Sequence, residues 1–144
     1  MGQQQLLLLV LSTVIVGLAT VAGIQAFSEN QAQASQDALV QRGTSIASDI
    51  QGLAGKPSQM GGIDLNSSDA TGSKIASKLG YNTDDNVVDA EGAGNDATCT
   101  IPDADGSGSL TISCSSGNAP QDVDVTVEPG ADEPVSTTFS ASSP

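Results

Sequence analysis

The feature that most constrains this chain is an uninterrupted apolar stretch close to its N-terminus. Residues 6–27 are apolar except for four uncharged polar side chains, and no charged residue occurs in positions 1–28. At 1.5 Å per residue a helix of this length extends about 33 Å, which is enough to cross a bilayer. A cleaved secretory signal is the usual alternative, but residues 1–5 carry no Lys or Arg and no short apolar core ends in a small-x-small site. We therefore predict a retained apolar helix.

The helical pattern continues past this stretch and becomes amphipathic. Residues 28–54 contain no Pro and are rich in Ala, Gln and Ser, and all but one of their large apolar residues recur, together with Gly43, at steps of four and three. That spacing places these residues on one stripe of a helix, and the Gly and Pro residues that follow provide stop signals. We predict that the helix ends near Leu53 and that its head-packing stripe consists of Leu39, Ile46, Ile50 and Leu53.

The next part of the chain, residues 55–96, reads as a loop region with one short helix. The segment SDATGSKIASKLGY can form that helix, with Ser68 or Asp69 as its N-cap and Gly80 as its terminator. Residues 82–96 are rich in Asp, Asn and Gly and are predicted to be loop.

The C-terminal part, residues 97–144, changes to a period of two. Four segments alternate apolar with polar residues and are separated by turn-forming sequences, which is the pattern of four antiparallel strands. The residues on the apolar face are Ala97, Cys99 and Ile101; Leu110, Ile112 and Cys114; Val123, Val125 and Val127; and Val135, Thr137 and Phe139.

Together these patterns predict an α+β fold in which the second half of one long N-terminal helix packs on a small four-stranded antiparallel sheet. One face of the sheet needs a cover, and the stripe of residues 28–54 is the longest amphipathic surface available. We expect that stripe to lie opposite Val123, Val125 and Phe139. The predicted segments are an apolar half-helix at 1–27, an amphipathic half-helix at 28–54, a loop region at 55–96 and a β head at 97–144.

The two cysteines of the chain fall in neighbouring predicted strands. If the intervening PDADGSGS loop closes a hairpin that pairs Ile101 with Ile112, Cys99 lies opposite Cys114 on the same face. Cross-strand Cβ atoms are then close enough for a disulfide. We predict that bond and, with it, an oxidising location outside the cytoplasm; two unpaired buried thiols are the alternative.

The charge of the chain argues against nucleic-acid binding. The net charge is −13, with 4 basic against 17 acidic side chains, so the chain lacks the basic surface that neutralises phosphates. There is no His, and neither a nucleophile–base pair nor a haem attachment motif is recognisable. We therefore predict no nucleic-acid binding, no enzymatic activity, no cofactor and no resident metal.

The loop DADGSGS resembles the start of an EF-hand calcium loop, with Asp103, Asp105 and Ser107 at the first, third and fifth positions. The twelfth position is Cys114, where that loop needs a bidentate Glu. A polar hairpin tip is the better interpretation.

A glycosylation sequon is present in the loop region. Asn66-Ser67-Ser68 fits N-x-[ST], which makes Asn66 a candidate for N-glycosylation on the secreted side.

The chain combines a short polar N-terminus, an uncharged apolar run that continues into an amphipathic helix, and a small disulfide-bearing sheet. This layout resembles that of the type IV pilins and pseudopilins. The likeness rests mainly on the segment GQQQLLLLVLSTVIVGLATVAG. It implies a structural role: an anchor in the cytoplasmic membrane before assembly, then a homopolymeric surface filament built by pilus assembly machinery and used, for example, in adhesion. The implied polymerisation helix comprises Leu6, Leu7, Leu8, Leu9, Val10, Leu11, Val14, Ile15, Val16, Gly17, Leu18, Val21, Gly23 and Ile24.

The chain departs from the family at one position. Mature pilins usually carry Glu fifth, where it neutralises a neighbour's terminal ammonium. In this chain the fifth residue is Gln5 if Met1 is the mature start, and Leu7 if cleavage follows Gly2. The alternative from another class is a single-pass membrane-anchored protein that presents an extracytoplasmic binding module and does not polymerise.

Overall fold

The computed structural model describes residues 2–81 and 85–141. The chain divides into two compact units, Met1–Ala32 and Gln33–Pro144, and we call the second the head. The described elements are helix α1 (Gly2–Ala54), a 3₁₀ helix (Ser58–Met60), helix α2 (Gly72–Lys78) and strands β1 (Val87–Asp89), β2 (Thr98–Thr100), β3 (Leu110–Ser115), β4 (Gln121–Val127) and β5 (Val135–Ala141).

The fold is α+β, as predicted, with the long N-terminal helix packed against an antiparallel sheet. The sheet has five strands in the order β1-β2-β3-β4-β5, whereas four were predicted. The additional strand is β1, which lies in a stretch predicted to be loop. Two consecutive β-branched residues explain it, because Val88 is buried opposite Cys99 while Val87 faces outward.

The helix stripe forms one side of the head's core. Leu39, Ile46 and Ile50 have no exposed surface, and Leu53 is partly buried against the same cluster. On the sheet side Val123 and Val125 are fully buried, as expected. The expectation for Phe139 was wrong: its side chain is 53% exposed, because β5 is an edge strand and the helix crosses the sheet over β3 and β4.

The crossing point of helix and sheet is at Gly43. A Cβ atom added there would lie 2.7 Å from Cγ2 of Val125 and 3.3 Å from Sγ of Cys114. Such short contacts leave no room for a side chain, so a glycine is needed for the helix to approach the sheet this closely.

Helix α2 forms where a short helix was predicted, but its N-cap is Thr71 and neither Ser68 nor Asp69. The Thr71 hydroxyl accepts a hydrogen bond from the backbone N–H of Lys74 at 3.4 Å. The start is fixed from outside the segment, since the N–H of Gly72 donates to Oδ1 of Asp103 at 2.7 Å. The turn after the helix contains Gly80 at φ 89°, in the left-handed conformation expected of a terminator.

Candidate assembly helix and disulfide-linked head

The largest exposed apolar surface among the described residues belongs to the first unit. Every Leu, Ile, Val and Phe side chain within positions 6–27 is between 53% and 71% exposed. These side chains occur on all sides of the helix, and the helix is long and apolar enough to cross a membrane by length and composition. The predicted polymerisation residues therefore form one continuous apolar surface within this unit.

Three of the four polar side chains on this surface form hydrogen bonds within the helix. The hydroxyls of Ser12, Thr13 and Thr20 each donate to the backbone carbonyl three residues earlier, at 2.7 to 2.9 Å. A hydroxyl bonded in this way needs no water or partner, so it does not oppose transfer into an apolar environment. The segment can accordingly be surrounded by lipid chains or by other apolar helices.

Two glycines on this helix have open space on the side where a side chain would be. At both Gly17 and Gly23 no heavy atom lies within 4 Å of the place a Cβ would occupy. Thr13 and Ala19 each lie four residues before one of these glycines, so both pairs follow the small-xxx-small spacing that allows two helices to approach closely.

In the head, Cys99 and Cys114 are joined by a disulfide. They are direct partners across β2 and β3, as the alternation predicted, and neither has exposed surface. The bond links the two strands beneath Gly43, so helix, sheet and disulfide meet at one point.

We expect replacement of both cysteines by Ser to lower the head's free energy of unfolding by about 3 kcal/mol, the loop-entropy value for a closed loop of about 15 residues. Urea unfolding followed by circular dichroism measures this, with reduced wild type as the matched control. Intact mass before and after alkylation tests the bond itself. Alkylation of both thiols in native material without reductant would contradict it.

The DADGSGS loop uses its carboxylates for internal structure. Asp103 accepts from Gly72 at the start of α2, and Oδ1 of Asp105 accepts from the N–H of Ser107 at 2.9 Å. The pKa of Asp105 lies below its ordinary value because the hydroxyl and the N–H of Ser107 both donate to its carboxylate. Within residues 2–81 and 85–141 no group of three or more His, Cys, Asp or Glu side chains could hold a metal ion. The role of Asp103 was not foreseen, since its partner lies 31 positions away.

Asn66, the candidate glycosylation residue, lies on the surface. Its side chain is exposed, and its Nδ2 is 3.3 Å from Oδ1 of Asp64. Its accessibility leaves glycosylation there as a prediction.

The long apolar N-terminal helix, the antiparallel sheet and the disulfide are together compatible with a pilin-like fold. No protein-family model, curated protein or solved structure matches the chain.

Proposed function

We propose that this chain is a structural subunit of an extracellular type IV pilus-like filament and that it polymerises through residues 6–27. The observation that carries the proposal is the exposed, uncharged surface of this segment, whose hydroxyls are already bonded within the helix. Before assembly the same helix anchors the chain in the cytoplasmic membrane, with the head outside, where its disulfide can form.

Burial of this surface supplies the driving force for leaving water. Each fully buried Leu, Val or Ile contributes about 1.5–3 kcal/mol, and a large set of them outweighs the cost of ordering each subunit. Lipid provides much the same gain, so transfer from membrane to filament requires assembly machinery. Close helix contacts at Gly17 and Gly23 then stabilise the assembled form.

The contacts in the proposed filament core are apolar. Neither Gln5 nor Leu7 can form the ion pair with a neighbour's terminal ammonium that a Glu would form. Assembly therefore depends on the shape and packing of the helices.

A second candidate is a membrane-anchored protein that presents its head as a monomer. It is favoured by the separate core of the head, which needs no second copy, and by the suitability of the same helix for lipid. Electron microscopy of material sheared from cells distinguishes the two, because only a subunit forms a thin regular filament.

We expect removal of residues 1–27 to convert the protein into a soluble monomer with a folded head, because the truncation removes the assembly surface and leaves the core cluster intact. Light scattering coupled to size exclusion gives the mass, and circular dichroism reports the fold. The full chain, treated in parallel, is the control. If the truncated protein still polymerises, contacts between heads organise the assembly and the proposal fails.

A further inference from the structure

Three of the four basic residues of the chain lie around Gly62, close to the end of α1. The carbonyl of Gly62 accepts from Nζ of Lys78 at 2.8 Å, and a Cβ at Gly62 would meet the carbonyl of Lys56. Lys74 lies one turn before Lys78 on α2, and its Nζ donates to the carbonyl of Asp69 at 3.1 Å. An ammonium has three N–H donors, so each of these two lysines is held in position by one bond and can still bind a further acceptor.

A cavity of about 350 Å³ opens beside these two lysines. Its charged lining residues are Lys74, Lys78, Asp64 and Asp69. Of the 4 basic and 17 acidic side chains of the chain, three basic ones, including Lys56, and two acidic ones belong to this region, so the remainder carries one basic against fifteen acidic side chains. This lysine-lined cavity is therefore the part of the described head that attracts acidic groups.

The turn between β4 and β5 is acidic and closed on itself. The N–H of Glu128 donates to the carbonyl of Pro134 at 2.8 Å, across the base of the turn. Asp132 and Glu133 lie between them, and both are exposed. Pro129 and Pro134 fix two backbone angles in this turn, so little conformational freedom is lost when it docks against another surface.

We propose that the acidic turn of one copy docks into the lysine-lined cavity of the next copy, with Asp132 and Glu133 as the groups that meet its two lysines. Helix α2 packs beside β1, whereas the turn joins β4 to β5, so cavity and turn belong to different ends of the strand order. Each copy can then use its cavity with one neighbour and its turn with another. Such a heterologous contact, when repeated, builds an open helical polymer in which every copy keeps the same orientation, as one membrane and one filament require.

Charge complementarity identifies the occupant of the cavity as a second copy. The contact rests on the proposed filament, in which heads that each belong to a chain of net charge −13 lie side by side and repel one another over most surfaces. The cavity reverses that repulsion at one place, and the same chain supplies the exposed carboxylates that fit it. An acidic protein of another kind would leave the turn of every copy unpaired and the repulsion between heads unrelieved.

Zero-length cross-linking of the full chain tests the contact. A carbodiimide joins a carboxylate to a lysine amine, with loss of water, when the two groups touch. Applied to isolated membranes and to sheared material, it should give linked dimers and higher oligomers whose fragments, identified by mass spectrometry, join position 74 or 78 to Asp132 or Glu133. Lys74→Arg with Lys78→Arg is the matched control: it keeps the positive charges but offers no amine, so filaments should persist while these links disappear.

Charge reversal tests whether assembly depends on this pairing. Lys74→Glu with Lys78→Glu places like charges opposite each other and should lower filament abundance about tenfold or more. Adding Asp132→Lys with Glu133→Lys to that variant restores opposite charges, so filaments should return, now with carbodiimide links in the reverse sense. Should the reversed cavity prevent folding, shown by loss of the native disulfide, the two substitutions in the exposed turn serve alone and should give the same loss of filaments.

Absence of these links, links only within one chain, or charge reversal without effect on filaments would overturn the contact. So would a folded swapped chain that does not regain filaments. Links from positions 74 and 78 to a protein of a different mass would also overturn it and would assign the cavity to another acidic partner. Filaments without these links would refute the contact alone, whereas the links without filaments would refute the proposed function.

Discussion

Leu11→Asp is expected to abolish filament formation while leaving the head folded. Leu11 is 57% exposed in the middle of the apolar helix, where any environment other than water is lipid or another apolar helix. An Asp at the centre of a membrane helix costs about 2.5–3.5 kcal/mol, and in a polymer the cost recurs with every subunit. Electron microscopy of sheared material detects the filaments, and intact mass of the membrane fraction shows whether the disulfide of the head is present.

Leu11→Met is the matched control, because it changes shape slightly and adds no charge or large volume difference. It should form filaments at wild-type abundance. Wild-type filaments from Leu11→Asp would mean that this part of the helix lies in water in the assembly, and the proposed polymerisation surface would have to be abandoned. Loss of the protein from the membrane fraction would trace the defect to insertion, before assembly.

Ile46→Asp is expected to unfold the head. Ile46 has no exposed surface and lies on the helix stripe that covers the sheet. The substitution would bury a carboxylate without a partner and remove a large apolar side chain, a combination that costs more than about 4 kcal/mol. A head this small has little stability in reserve. Thermal unfolding followed by circular dichroism, together with protease sensitivity, measures the effect.

Asp49→Ala is the control for that substitution, because Asp49 is exposed on the same helix and a surface change of this kind usually stays within about 0.5 kcal/mol. If Ile46→Asp and Asp49→Ala were tolerated equally, the assignment of this helix stripe to the core of the head would be wrong.

Periodicity made much of the fold predictable. The helix stripe follows from apolar steps of four and three, and the pairing of Cys99 with Cys114 follows from a period of two on either side of a short loop. Both signals are local, because each needs only the spacing of residues within one element or one hairpin.

The features that were missed depend on contacts distant in sequence. Strand β1 is three residues long and exists because β2 offers it a partner. The N-cap of α2 depends on Asp103, and the exposure of Phe139 depends on where Gly43 places the helix over the sheet. The proposed assembly surface was visible in the sequence as an apolar run, but that run alone cannot distinguish lipid from a neighbouring copy. The position of β5 at an edge of the sheet required the strand order.

The strand order also determines how the head folds. Each strand pairs with the next one along the chain, so the sheet can grow through successive hairpins whose loops are short and inexpensive to close. Docking of the helix is different, because Gly43 meets Val125 only after nearly all of the intervening chain is in place. The apolar face of the sheet is therefore the surface that stays uncovered for as long as the helix is undocked, and the rate of helix docking sets how long that face meets water.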